Sequence, residues 1–150
     1  MIRQFVLLSL LLTIGACSQP DIYDTTGEGY RFAEMQGNTV VINYWAVWCA
    51  PCIKEIPELA ALGDNHDDIM VFGVNYDFPD AETMAQQISE LEITFPVFAR
   101  DPHTDFGIEK PEVLPTTLII DPGGVLQHVL VGPQTEASLL SAIRGEALLE

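Results

Sequence analysis

A long apolar segment that runs into a pair of cysteines constrains this chain more than any other feature. Residues 39–46, T-V-V-I-N-Y-W-A, show no alternation of apolar and polar positions. A strand with one solvated face alternates, so this segment predicts a central strand that is buried on both faces of a helix-covered sheet. Cys49 and Cys52 follow it in the sequence W-C-A-P-C. The segment therefore predicts two thiols at a junction between a buried strand and a helix.

The remaining elements predict an α/β fold with a mixed central β-sheet flanked by helices on both faces. Further strands are predicted at residues 69–76, 95–99, 116–121 and 125–131. Helices are predicted from Ala50 to about Leu62 with a kink at Pro57, from a cap at Asp80 through Glu92, and after a cap at Thr135. We therefore expect one domain over residues 30–150.

The first 29 residues are predicted to direct the protein to a membrane and to lie outside the folded domain. Residues 1–16 carry Arg3, an apolar run and then small residues, which is typical of a signal peptide. Their end, I-G-A before Cys17, resembles the lipobox of bacterial lipoproteins, which implies cleavage before Cys17 and lipidation of that cysteine. An ordinary leader with an incidental cysteine is the alternative. Residues 17–29 carry Pro, Gly and short polar residues, so they predict a tether.

Two cysteines separated by two residues indicate either a redox pair or half of a zinc site. The third cysteine is Cys17, and the chain's histidines stand apart from one another at positions 66, 103 and 128. A purely structural disulfide would close a very small ring and so would stabilise the fold little. We therefore expect redox chemistry, with no bound metal and no cofactor. The formal net charge of -16 argues against nucleic acid as a partner.

The position of each cysteine predicts its role. Cys49 precedes the helix, whose free N–H groups and positive dipole end favour a thiolate, so Cys49 is expected to be the nucleophile. Cys52 lies one helical turn later and is expected to resolve the mixed disulfide between Cys49 and a partner protein. Trp48 would shield one side of the pair, and Pro51 would fix the first helical turn.

The sequence W-C-A-P-C, Pro57 five residues later and Pro115 at the start of a strand resemble the thioredoxin superfamily over roughly residues 30–150. The resemblance implies a redox-active disulfide between Cys49 and Cys52. It also implies that Pro115 is cis and lies against the disulfide, where the backbone of Leu114 would pair with an incoming peptide. A proline on an edge strand is the alternative interpretation of Pro115.

At two positions the chain resembles the extracytoplasmic branch of this superfamily, which contains TlpA, ResA and the thioredoxins of cytochrome c maturation. Asn43 stands where thioredoxin has a buried Asp, and Glu55 follows Cys52 by three residues. A carboxylate there could raise the pKa of a thiol or relay its proton. The alternative is a surface charge on the helix. The cytochrome c subgroup tends to have Glu-Thr after the cis-proline, whereas this chain has Thr116 and Thr117.

The resemblance implies a monomeric, lipid-anchored oxidoreductase that reduces disulfides of extracytoplasmic proteins, with cytochrome c maturation as one setting. Trp48 and Leu114 would contact the substrate. Electrons would come from a membrane thiol donor of the DsbD or CcdA type. Ser18 would favour the outer membrane if the source is Gram-negative. The alternatives are a copper-delivery module, whose relatives on this fold carry C-x-x-x-C, and a peroxidase, whose Thr-x-x-Cys signature is missing.

Overall fold

The computed structural model describes residues 19–146. Its strands are β1 Ile22–Tyr23, β2 Gly29–Tyr30, β3 Thr39–Trp45, β4 Ile69–Asn75, β5 Thr116–Ile120 and β6 Leu126–Val131. Its α-helices are α1 Phe32–Met35, α2 Ala50–Asn65, α3 Ala81–Glu90 and α4 Glu136–Arg144. A 3-10 turn covers His103–Phe106. Within these residues no helix is long and apolar enough to cross a membrane.

The central sheet has the strand order β4-β3-β5-β6. Strand β3 runs parallel to β4 and antiparallel to β5, and β5 runs antiparallel to β6. The predicted mixed sheet is therefore confirmed. Every residue of β3 is buried, as the continuous apolar segment predicted.

Alternate residues of β3 enter different cores, because successive side chains of a strand point to opposite faces. Val40 and Ile42 pack in one cluster with Met35 of α1. Val41 packs in another with Leu59 of α2 and Leu139 of α4. Helices therefore flank both faces of the sheet.

The predicted helix caps are confirmed. The Asp80 carboxylate accepts from the backbone N–H of Thr83 at 3.0 Å and caps α3. Thr135 caps α4 in a reciprocal pair with Ser138, in which each side chain accepts from the other residue's backbone N–H. Both caps satisfy N–H groups that a helix end leaves free.

The predicted strand at residues 95–99 is wrong. This segment makes only isolated bridges, from Val97 to Gly73 of β4 and from Phe98 to Asp24. Pro96 has no N–H to donate, so it contributes only its carbonyl, which accepts from the Gly73 N–H at 2.8 Å. The segment therefore meets β4 in one parallel bridge, at Gly73, instead of forming a strand along it.

The predicted tether over residues 17–29 is wrong for its second half. Ile22 is only 1% exposed and belongs to the core, and β1 pairs with β2. The buried Asp24 carboxylate closes the hairpin by accepting from the backbone N–H groups of Thr26 and Glu28 at 2.8 and 3.0 Å. Strands of two residues are too short to show periodicity, which is why the sequence did not reveal them. Residues 1–18, with the predicted leader and Cys17, lie outside the described residues.

Strand β6 forms one edge of the sheet. Its Val129 and Val131 are 48% and 61% exposed. Residues 125–131, V-L-Q-H-V-L-V, contain no charged side chain in a chain with 28 of them. This edge therefore combines exposed apolar side chains with a backbone that has no neighbouring strand in the described part of the chain.

Candidate active site

The two cysteines form a disulfide at the start of α2. The S–S distance is 2.00 Å and the Cα atoms are 5.3 Å apart. Cys49 is the N-cap residue, and its Sγ accepts from the backbone N–H of Cys52 at 3.3 Å. Pro51 occupies the first turn, where its missing N–H costs nothing. The cap places Cys49 Sγ at the positive end of the helix, where a thiolate is stabilised.

The two sulfurs differ in their access to solvent. Cys49 is 5% exposed, whereas Cys52 is completely buried. A partner sulfur can therefore reach Cys49 and not Cys52. This geometry agrees with Cys49 as the nucleophile and Cys52 as the resolving thiol, and the assignment remains a prediction.

The loop before β5 lies beside the disulfide. The Leu114–Pro115 peptide bond is cis, as the resemblance implied. Leu114 packs against the apolar cluster that contains Cys49 and Cys52. Pro115 is buried. The structure therefore brings Pro115 and Leu114, which are far from the cysteines in sequence, to the same site.

Trp48 stands out from the surface beside the pair and is 63% exposed. Its indole Nε1 donates to Asp77 Oδ2 at 2.8 Å. The Asp77 backbone N–H donates to the side chain of Asn75 at 3.0 Å. Asp77 was missed in the sequence analysis. Asp77 follows β4, and β4 runs parallel to β3 and ends at the same edge of the sheet as the cysteine segment. This position in the sequence was the signal that could have found it.

Glu55 is buried, with 1% of its surface exposed, so the alternative of a surface charge is wrong. Burial raises the pKa of its carboxyl from 4.5 to about 7. The nearby Gln134 backbone and the polar side chains of Thr117 and Asn43 act in the opposite direction and limit the increase in this pKa. The site thus holds a carboxyl group that can gain or lose a proton near neutral pH.

A hydrogen-bonded chain of three side chains holds this carboxyl group. Asn43 Nδ2 donates to Thr117 Oγ1 at 2.9 Å, and Thr117 Oγ1 donates to Glu55 Oε1 at 3.3 Å. Glu55 Oε2 and Asn43 Oδ1 are buried without a hydrogen-bond partner within the described residues. Thr117 was noted in the sequence only as a departure from one subgroup, and its contact with Glu55 was missed.

The histidines do not complete a metal site with the cysteines. His66 Nε2 lies 3.6 Å from Glu136 Oε1, and His103 Nδ1 lies 3.1 Å from Asp101 Oδ1. His128 is opposite Ile119 of β5, a residue that pairs in turn with Val41 of β3. Val41 lies four positions before Trp45 at the end of β3, which corresponds to about 13 Å along the strand, so His128 lies far from the cysteines that follow β3. Across residues 19–146 no group of three or more His, Cys, Asp or Glu side chains could hold a metal ion.

The chain is similar to known thioredoxin-like proteins. A model of the AhpC/TSA family matches residues 16–129. The thioredoxin-like protein YneN of Bacillus subtilis is 31% identical over 121 residues, which cover 76% of this chain and 68% of YneN. The thiol-disulfide oxidoreductase ResA of Bacillus cereus is 26% identical over 119 residues, which cover 79% of this chain and 69% of ResA.

A solved structure extends the similarity to the fold. The exposed lipoprotein thioredoxin of Streptococcus pneumoniae superimposes with a TM-score of 0.68 at 20% identity, over 85% of this chain and 99% of that one. The family model covers most of the chain, and the paired cysteines lie inside the matched region. The chain therefore belongs to the AhpC/TSA family and is a thioredoxin-like thiol–disulfide oxidoreductase.

Proposed function

We propose that the protein reduces disulfide bonds of extracytoplasmic proteins while it is anchored to a membrane through a lipid on Cys17. The observation that carries the redox part is the Cys49–Cys52 disulfide at the N-terminus of α2, beside the cis Leu114–Pro115 bond. The observation that supports thiol–disulfide exchange near neutral pH is the buried Glu55, whose raised pKa of about 7 would let it exchange a proton one helical turn from Cys52.

The reaction starts from the dithiol form. The Cys49 thiolate attacks one sulfur of the partner's disulfide, so a mixed disulfide forms and the other partner sulfur leaves as a thiolate. Cys52 loses its proton and attacks Cys49 Sγ, which releases the second partner sulfur and forms the Cys49–Cys52 disulfide. Two electrons pass to the partner, which ends as a dithiol. Glu55 is the proposed acceptor of the Cys52 proton.

The surface around the pair suggests how a partner binds. Trp48 is exposed and fixed by Asp77, and Leu114 precedes the cis-proline. We propose that Trp48 and the Leu114 backbone contact the partner's peptide. Apocytochrome c is one candidate substrate, although Thr116 occupies the position where that subgroup has Glu. Thr116 is buried and donates to the Val113 carbonyl at 2.7 Å, so it presents no charge to a partner.

The proposed anchor would hold the domain close to the membrane. The backbone N–H of Asp21 already bonds to Tyr30 in the fold. The link from Cys17 to Asp21 can therefore span only about 14 Å when fully extended. A membrane thiol donor of the DsbD or CcdA type in the same membrane would be within reach. Placement in an outer membrane, which Ser18 would favour in a Gram-negative cell, would require a soluble carrier of electrons.

Insulin reduction tests the proposed reaction. The Cys49→Ser variant should lose activity, because no nucleophile remains. The Cys52→Ser variant should attack substrate but fail to release it, and it should accumulate a mixed disulfide visible on a non-reducing gel. A mixed disulfide that accumulates with Cys49→Ser and not with Cys52→Ser would contradict the assignment of Cys49 as nucleophile. A wild-type protein that does not reduce insulin would contradict the proposed function.

Trapping in the native cell tests the substrate class. The Cys52→Ser protein should retain extracytoplasmic proteins through disulfides that dithiothreitol releases. The Cys49→Ser/Cys52→Ser double variant is the matched control and should retain none of them. Trapped proteins that are all cytoplasmic would contradict the proposed location and substrates.

A further inference from the structure

We propose that Thr117 is a positioning residue for Glu55. Its hydroxyl, which Asn43 orients, donates to Glu55 Oε1 and makes that oxygen the hydrogen-bond acceptor. The other oxygen, Oε2, then carries and transfers the proton. This inference rests on the proposed function and assigns a division of labour between the two oxygens of the same carboxyl group.

The sheet register brings Asn43 and Thr117 together. The two residues are direct partners in the antiparallel β3–β5 pair. Side chains of directly opposite residues lie on the same face of a sheet and are close enough to interact. The face that they share is the one against which α2 packs Glu55, as the 3.3 Å contact between Thr117 and Glu55 shows. The backbone therefore fixes where the hydroxyl meets the carboxyl group.

The chemistry of the Thr117 hydroxyl sets the donor and acceptor at each step of this series of hydrogen bonds. A threonine hydroxyl has one proton to donate and two lone pairs with which to accept. Asn43 Nδ2 donates to Thr117 Oγ1 at 2.9 Å, which occupies a lone pair. The one hydroxyl proton is then directed to Glu55 Oε1. Asn43 thus orients the hydroxyl, and the hydroxyl marks one of the two carboxyl oxygens.

The second carboxyl oxygen is left for proton exchange. Glu55 Oε2 is buried and has no hydrogen-bond partner within the described residues. A protonated carboxyl group carries its proton on one oxygen while the other acts as an acceptor. Because Oε1 already accepts from Thr117, the proton belongs on Oε2. Without the Thr117 hydroxyl, neither carboxyl oxygen would accept a hydrogen bond from β5, so β5 would not distinguish them.

The groups around Glu55 let this effect be measured. The polar groups that act on it come from β3, β5 and the segment before α4, namely Asn43, Thr117 and the backbone N–H of Gln134. All three are neutral, so no partner ion masks the loss of one hydrogen bond. One ordinary hydrogen bond to the charged form corresponds to about one pH unit.

The test follows the Glu55 titration in the oxidised full-length protein, by infrared and carbon-13 NMR difference spectra against Glu55→Gln. Thr117→Val should raise the titration midpoint by about one unit. It should also move the C=O stretch of the protonated acid to higher frequency, because Oε1 has lost its donor. Thr117→Ser keeps a hydroxyl and should restore both values. Thr39→Val, which removes a buried hydroxyl from β3, should change neither.

The outcomes separate this inference from the function on which it rests. A Thr117→Val midpoint and C=O frequency equal to wild type would overturn the role of Thr117, as would a failure of Thr117→Ser to restore them. Neither spectrum depends on turnover. Absence of disulfide reduction in the wild type would instead contradict the proposed function. If Thr117→Val does not fold, Asn43→Ala replaces it: this variant should raise the midpoint by a smaller amount, and an unchanged midpoint would overturn the orientation of the Thr117 hydroxyl by Asn43.

Discussion

Replacing Glu55 by Gln should remove a large pH dependence from the stability of the oxidised protein. The folded pKa of Glu55 is about 7, and its unperturbed value is 4.5. A raised folded pKa means that the folded state holds the proton more tightly than the unfolded state. This contribution to stability is fully present below pH 4.5 and is lost as the pH rises through 7. The disulfide-bonded cysteines do not titrate, so they do not add to the effect.

The expected size follows from the two pKa values. Between pH 5 and pH 8, the Glu55 contribution to the free energy of unfolding should fall by about 2.5 kcal/mol. Glutamine cannot titrate, so this change is absent from the Glu55→Gln protein. The difference between the two proteins isolates Glu55, because the other carboxylates are common to both.

Urea unfolding of both oxidised proteins at pH 5, 6, 7 and 8, monitored by circular dichroism, measures this difference. The wild-type stability should decline relative to Glu55→Gln across the series. A difference that stays constant within about 0.5 kcal/mol, well below the expected change, would refute the desolvation of Glu55. The same flat difference would place the folded pKa near its ordinary value and would remove Glu55 from the proposed proton transfer.

Three further changes test other parts of the structure. Ile22→Ala should lower the free energy of unfolding by about 2–4 kcal/mol because it opens a cavity in the core. Tyr23→Ala, at a position that is 44% exposed, should cost clearly less, and equal losses would contradict the placement of β1. Thr135→Ala should cost about 1 kcal/mol by removing the cap of α4, and an unchanged urea midpoint would contradict the cap. Cys17→Ser should move the protein from the membrane fraction to the soluble fraction of its native cell, and unchanged membrane association would contradict the lipid anchor.

The part of the fold that the sequence predicted is the part whose signal is local. The segment 39–46 is continuously apolar, so β3 and the helix after it could be recognised without the rest of the chain. The hairpin around Asp24 could not, because its two strands have two residues each and its turn is closed by hydrogen bonds to the Asp24 side chain. The segment at residues 95–99 had the composition of a strand, but Pro96 removes the donor that a ladder needs.

The site likewise has one part with a local sequence signal and one part without it. The cysteines and Glu55 lie within two turns at the start of one helix, so their spacing alone predicted that they occupy the same end of it. The contact between Glu55 and Thr117 joins residues 62 positions apart. It depends on the register of β5 against β3, since a shift of one residue would turn Thr117 to the opposite face of the sheet. Nothing in the local sequence specifies that register, although the cis-proline at the start of β5 marked the strand as part of the site.

The uncharged edge at β6 gives the acidity of the chain a physical role. Edge strands of soluble proteins commonly carry lysine or proline, which discourage pairing with a second molecule. Val129 and Val131 offer no such protection, so we expect repulsion between the acidic molecules to oppose edge-to-edge contact. That repulsion disappears near the isoelectric point of about 4.2, when the carboxylates are protonated. We therefore expect the net negative charge to keep this exposed strand from pairing with a second molecule, and we expect acidification to weaken that protection.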